Sequence, residues 1–396
     1  MLRSLFSSIS GMRAHQTMMD VVGNNISNAN SVGYKSSNIV FEDTLSQMVR
    51  GASAPNATQG GLNPMQVGLG VKTAAIATNF GQGSTQLTGR SLDVMIQGDG
   101  FFVVNGSAGD AQYTRAGSFT LDASGRLTTP DGALVQGWSA VNGVINTNAG
   151  TGDITLPIGA VSAPTSTSAV TLGGNIPAST AVGASIVATI TSYDGQGNEV
   201  PLTFTMTKTA ADTWTVATSG ATPASQSVSF DPATGALTTA SPLAITVGGR
   251  ALSLDLSQVT QYGSGSSFSA LSQDGSAAGS LQSFSLTSDG TLVGFFTNGV
   301  KQPIAQLAMA SFSNPGGLEK VGNSSFAASR NSGPAAIGTA GEGGRGLMVG
   351  GALEMANVDL AAEFTNLIIA QRGFQANSRM ITASDEILQD LVNLKR

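Results

Sequence analysis

Apolar side chains recur every seven residues at both ends of the chain and about every second residue through its middle. At the N-terminus Leu5, Met12, Met19 and Ile26 form one row, while a companion row weakens to Gln16 and Gly23. That period is a coiled-coil seam and predicts a helix. At the C-terminus Leu353, Leu360, Leu367, Phe374, Ile381 and Leu388 stand seven apart, with Phe364 widening the stripe. Asn357 and Asp359 offer an N-cap and a favourable first-turn charge there. Gly373 is a weak point inside, costing about 1 kcal/mol against Ala. The back of the first helix carries Ser4, Ser7, Ser8, Gly11 and Thr17 instead of Glu and Lys. A face so poor in charge points to a helix packed on more than one side.

Between the ends the period falls to two. From about Val71 to Ala328, short β-rich runs are separated by Asp99-Gly100, Asn105-Gly106, Asp131-Gly132, Asp194-Gly195, Asp289-Gly290 and Asn298-Gly299. Such dipeptides supply the positive φ of hairpin turns. Strands are predicted at Asp93–Ile96, Phe101–Val104, Ser185–Ser192, Leu202–Thr207, Thr213–Ala217 and Leu252–Leu256. This spacing predicts antiparallel sandwiches or barrels rather than a parallel α/β sheet. Residues 145–280 are rich in Thr, Ser and Ala and are expected to form a β-domain of their own. Gly51–Gly61 and Asn331–Gly351 read as linkers.

Composition narrows the function. The 396 residues suffice for about two to four domains, and 41% are hydrophobic, enough for folded cores. Charged residues are 11%, against about 25% in an ordinary soluble domain. The net charge is −6 and the 18 Lys and Arg are scattered, which argues against a nucleic-acid binder. No apolar run is long enough to cross a membrane. Without cysteine there is no disulfide, Cys-based zinc site or thiol nucleophile. His15 is the single histidine and has no second ligand beside it, so no metal, no cofactor and no enzymatic activity are expected. The N-terminus lacks the continuous apolar core of a secretory signal peptide.

Energetics separate the ends from the middle. The first helix can bury about six large apolar side chains, each contributing about 1.5–3 kcal/mol. Ordering its backbone costs about 1–2 kcal/mol per residue, and helix hydrogen bonds narrow that gap without closing it. Both terminal helices are therefore expected to be disordered in a free chain and to need neighbouring chains.

Four stretches carry a family resemblance. Asn24-Asn25-Ile26-Ser27-Asn28-Ala29-Asn30-Ser31-Val32-Gly33-Tyr34-Lys35 resembles the N-terminal signature of the bacterial flagellar rod and hook family, with Ser27 where Ala is more usual. Leu92–Phe102 and Tyr113–Phe119 resemble its inner β-domain motifs, and Asn357–Leu360 with Ile368–Ser378 resembles its C-terminal helix. Within the family, Tyr193–Asn198, Thr213-Trp214, Gly299-Val300-Lys301 and Gly317-Leu318 look like hook sequences, and residues 145–280 fill a place that shorter rod proteins leave empty.

The resemblance implies a mainly β fold with terminal α-helices. The N-terminal helix (1–34) and the C-terminal helix (353–396) would form a coiled coil. Connectors at 35–70 and 331–352 would lead to an inner antiparallel β-domain (71–144 and 281–330), with an outer antiparallel β-domain (145–280) inserted into it. It also implies a structural subunit of the flagellar hook, polymerising helically into a curved, hollow universal joint that transmits motor torque. A distal rod or related axial protein is the alternative. An adhesin would not need the heptad seams, and a secreted carboxylate-based glycosidase would need an acidic pair in a cleft; no such pair stands out.

Partners implied are further copies of the chain, the distal rod, the hook cap, the hook–filament junction proteins and the flagellar type III export apparatus, with no nucleic acid and no membrane insertion. The location implied is the hook outside the cell, reached without a cleaved signal peptide. Asn24, Asn25, Asn28, Asn30, Gly33 and Tyr34 would fix the joint at the end of the first helix. On plain chemistry those amides stop the helix by competing for its backbone hydrogen bonds. The two seams are expected to pack together in the assembled tube. Phe41-Glu42-Asp43-Thr44-Leu45 resembles the Phe-x-x-x-apolar motif read by the export gate, with ordinary packing of Phe41 and Leu45 as the plain alternative.

Overall fold

Helix α1 spans Leu2–Ser27 and α2 spans Leu360–Asn393. Asp359 caps α2, its carboxylate accepting from the amides of Ala361 and Ala362 at 2.9 and 3.2 Å. That cap starts the helix at Leu360, not at 353. Leu353 instead lies in the strand Ala352–Glu354, paired with Thr85–Leu87. The asparagines end α1: the Asn28 amide donates to the carbonyl of Asn24 at 3.0 Å, and the chain turns away before Gly33 at φ +67°. So α1 stops at Ser27, short of the expected limit of 34. The computed structural model describes residues 2–393 apart from 56–59, 107, 108, 142, 158 and 160.

The chain forms two compact units, the first of which includes both helices. The first comprises the residues up to Leu156, Ser285–Val293 and the residues from Pro303 onward; the second comprises Pro157–Phe284 and Gly294–Gln302. All six predicted strand segments lie in or overlap strands. In the first unit Leu134–Ser139, Phe101–Asn105, Ala111–Thr114, Ser325–Ala327 and Glu319–Gly322 follow one another across a sheet. Phe101, Val103, Tyr113, Trp138, Leu318 and Phe326 form a core on one side of it. On the other side Phe102 meets Phe119 edge-on at 5.1 Å.

The second unit is a sandwich. Ala221–Thr222, Leu243–Val247, Arg250–Tyr262, Ala169–Pro177 and Ser269–Gln273 form one sheet, and Ser185–Tyr193, Glu199–Ala210, Thr213–Thr218 and Ser225–Ser229 the other. Their facing side chains, Phe204, Trp214, Val228, Leu172 and Leu254 among them, make one core. The expectation of purely antiparallel pairing fails at Ala169–Pro177, which runs parallel to Arg250–Tyr262. The chain between them builds the other sheet before returning, which is connection enough for a parallel crossover.

Both stretches expected to be connectors contain paired strands. Ser37–Asp43 pairs with Val71–Thr78, and Ser46–Arg50 pairs with Met65–Gly68. Ala336–Gly338 pairs with Met309–Ser311, and Leu347–Gly350 with Val94–Gln97. Their glycines serve turns between short strands, a use that composition alone does not separate from a linker. Two turn assignments also shift by a few residues: the positive φ lies at Gly109 and Gly197, not at Gly106 or Gly195.

Candidate functional site: the helix joint and the exposed face of α2

Within one chain α1 and α2 lie antiparallel and in contact. The contact face of α1 is a stripe of small and polar residues, Ser8, Gly11, Ala14, Val22 and Asn25, all buried. A Cβ on Gly11 would sit 2.7 Å from the Asn377 amide, and one on Gly373 would sit 2.4 Å from the His15 ring. Glycine at both points lets the helices approach, which is why Gly373 survives inside a helix it weakens. The two helices are thus paired within the single chain.

The heptad rows lie next to that contact. Leu5, Met12, Met19 and Ile26 are half-buried beside it, as are Leu367, Phe374 and Ile381, while Leu360 and Leu388 are exposed. More apolar surface lies elsewhere on α2. Phe364 and Ile368 lie nearly opposite Gly373 at about 100° per residue and are 50% and 58% exposed. Ile369, Met380 and Ile387 run along its flank, also exposed. A helix apolar on several sides is one that is buried in its working state.

Where the helices meet the strands that follow α1 and precede α2, polar side chains form a closed joint. Asn25 is fully buried; its amide donates to the Ser37 carbonyl at 2.8 Å and to Glu363 at 3.0 Å. Its oxygen accepts from the Tyr34 hydroxyl at 3.1 Å and from the Ser37 amide at 3.0 Å. One asparagine therefore ties the end of α1, the following strand and the first turn of α2. The second oxygen of Glu363 has no hydrogen-bond partner among the described residues. Burial, then the Glu363 carboxylate, raises the pKa of Tyr34. Asn357 accepts from the Ser36 amide at 2.8 Å and donates to the carbonyls of Asn79 and Gly81.

Beside this lies an ion cluster. Lys35 reaches Glu354 at 2.6 Å and Arg115 reaches its other oxygen at 3.3 Å, all three side chains being at most 2% exposed. The Gly83 amide donates to Glu354 and Lys35 donates to the Gly81 carbonyl, both at 2.9 Å. Burial lowers the pKa of Lys35, and the Glu354 partner offsets only part of that. It lowers Arg115 too, whose guanidinium also stacks on Phe101 at 5.3 Å. Sequence reasoning does not single out the Lys35–Glu354–Arg115 cluster, although Lys35 and Arg115 stand inside the family motifs. In a chain this poor in charge, those cations are the available signal.

The remaining predicted residues are dispersed. Asn24 and Asn28 bond to each other at 3.0 Å near the surface, and Asn30 is exposed. Gly33 touches backbone, since a Cβ there would lie 2.4 Å from the Ala116 nitrogen. Phe41 sits in the strand Ser37–Asp43, half-buried and edge-on to His15 with ring centroids 6.2 Å apart, whereas Leu45 is 85% exposed. Among the described residues no group of acidic or histidine side chains could hold a metal ion.

Four family profiles match the chain in order: flagella basal body rod protein at residues 5–35, flagellar hook protein FlgE/F/G D1 domain at 95–174, flagellar basal body protein FlaE D2 domain at 175–276, and flagellar basal body rod FlgEFG protein C-terminal at 349–394. The chain is 38% identical over 444 residues to flagellar hook protein FlgE of Borreliella burgdorferi, with all of both chains covered. It is 38% identical over 465 residues to FlgE of Treponema pallidum, again with all of both chains covered. It is 34% identical to flagellar basal-body rod protein FlgG of Bacillus subtilis, also over the whole of both chains. Among solved structures, Helicobacter pylori flagellar hook protein FlgE2 shares the fold at a TM-score of 0.53 and 15% identity, over 66% of this chain and 98% of that one.

Proposed function

As the chain belongs to the flagellar hook and rod family and is a structural subunit of the flagellar hook, we propose that it polymerises through its terminal helices, which neighbouring copies bury, while the β-sheets of the two units keep their own folded cores. The observation that carries this reading is the exposed apolar surface on several sides of α2. Phe364 and Ile368 stay exposed although α2 is packed against α1. Burying such side chains contributes about 1.5–3 kcal/mol each, and a helical polymer collects that gain in every subunit.

The inner and outer roles of the two units, and the torque-bearing universal joint, belong to the same reading. A bending joint requires neighbours to slide, and surfaces of Ser, Thr and Gly exchange contacts without breaking buried ion pairs. The chain would meet the distal rod, the hook cap and the hook–filament junction proteins at its boundaries and reach them through the type III export apparatus. Phe41 and Leu45 are the candidate export contacts; the exposure of Leu45 supports that role. A structural subunit needs no catalytic group. Electron microscopy of the purified chain over a concentration series tests the proposal: hollow fibres above a threshold support it, and a chain that stays monomeric throughout rejects it.

A further inference from the structure

A groove runs between α1 and the strand Val71–Thr78. Phe6, Ile9, Arg13, Val71 and Lys72 line it around a cavity of about 390 Å³. Phe6 is 64% exposed, so apolar surface stands open at one end. The rim carries one uncompensated cation: Lys72 is paired with Glu42 at 2.7 Å, while Arg13 makes no ion pair among the described residues. Phe6, Ile9 and Arg13 lie on the side of α1 opposite Gly11, given about 100° per residue. Since α2 of the same chain is held at Gly11 and His15, it cannot reach this groove.

The far end of α2 has the complementary character. Met380, Ala383 and Ile387 share one side of the helix at helical spacing, and Met380 and Ile387 are each 50% exposed. Glu386 and Asp390 stand beside them, exposed and without an ion pair among the described residues. We infer that the groove of one chain receives the Met380–Asp390 ridge of a second copy. The apolar side chains enter beside Phe6 and Ile9, and Glu386 and Asp390 meet Arg13. Groove and ridge are different patches, so the contact is heterologous and repeats from copy to copy without closing into a dimer. The inference rests on the polymer reading and assigns it a contact.

The test uses the full chain. Arg13→Glu, and separately Glu386→Arg with Asp390→Lys, should each lower polymer yield at least about tenfold by setting like charges together. The combined variant should return most of the yield. Because the native chain has no cysteine, Ile9→Cys in one preparation and Ala383→Cys in another should give a disulfide between copies when mixed and oxidised with copper phenanthroline and air. A wild-type polymer that forms normally, with no cross-link and no effect of the charge changes, overturns the groove assignment and leaves the polymer reading standing. A wild-type chain that never polymerises overturns both. Helical content of each variant, read by circular dichroism, should match wild type; a variant that loses it is replaced by Arg13→Gln, for which a yield equal to wild type counts against the contact.

Discussion

Glu354, on the strand before α2, accepts a hydrogen bond from Lys35, just beyond the end of α1, at 2.6 Å, and neither side chain is reached by solvent. Arg115, from the β-sheet of the first unit, completes the cluster. One carboxylate thus holds the N-terminal arm, the C-terminal arm and the β-core at a single point. Removing one partner of a buried ion pair typically costs about 3–5 kcal/mol, because the others are left charged and unpaired. Glu354→Gln should lower the stability of the first unit by about that amount. Trp138 reports that unit and Trp214 the second, so denaturant titration of single-tryptophan variants should shift the Trp138 transition and leave the Trp214 transition in place.

The same cluster gives the first unit a pH dependence. Burial holds the pKa of Lys35 below the ordinary lysine value, so in the window between the two the unfolded chain binds a proton that the native state has released. Stability then rises with pH through that window. Lys320, also lowered by burial, acts in the same direction. Tyr34 and Tyr113, both raised by burial, act oppositely once tyrosines of the unfolded chain ionise near pH 10. Denaturation midpoints of the Trp138 transition should climb as pH rises toward the ordinary lysine value and then turn down. Lys35→Met should flatten the climb; an unchanged climb would remove Lys35 from the explanation.

Two glycines of the arms should respond differently to alanine. At Gly33 the φ is +67° and a Cβ would stand 2.4 Å from the Ala116 backbone nitrogen, which leaves no room. Gly33→Ala should destabilise the joint by about 1–3 kcal/mol or more. At Gly373 the obstacle is the His15 side chain. Gly373→Ala should loosen α2 from α1 despite a gain of about 1 kcal/mol in helix propensity, and adding His15→Ala should restore the contact. Hydrogen exchange along α2 distinguishes the two cases.

The export reading separates at Phe41 and Leu45. Phe41 packs against His15, so Phe41→Ala alters both secretion and local packing. Leu45, at 85% exposure, has almost no packing to lose. Leu45→Ala should therefore lower secretion into the medium while the Trp138 transition stays at its wild-type position. Normal secretion of both variants would leave the motif without an export role.

The fold is legible in the sequence where one local cause dominates. The alternation at Leu202–Thr207 marks a strand because every second side chain enters the core around Trp214, and the asparagines at 24 and 28 mark the helix end because short amides compete with the helix for hydrogen bonds. The stretches 35–70 and 331–352 pass for connectors because strands such as Ser46–Arg50 bury little, so no alternation marks them. The helix contact is hidden for a related reason. A seven-residue apolar row marks a helix, whereas Gly11, His15 and Gly373 meet because they are small or flat, and smallness has no hydrophobic period. Glu354 and Glu363 become meaningful only when distant segments meet.

The central claim is that copies of this chain assemble by burying the faces of α2 that a single chain leaves open. Sedimentation and electron microscopy of wild type beside Phe364→Ser/Ile368→Ser test it most directly, because both side chains are already exposed in the single chain, at 50% and 58%. The account predicts fibres from wild type, and from the double variant a monomer with unchanged helical content and unchanged Trp138 and Trp214 transitions. Fibres from the double variant at wild-type yield would contradict it.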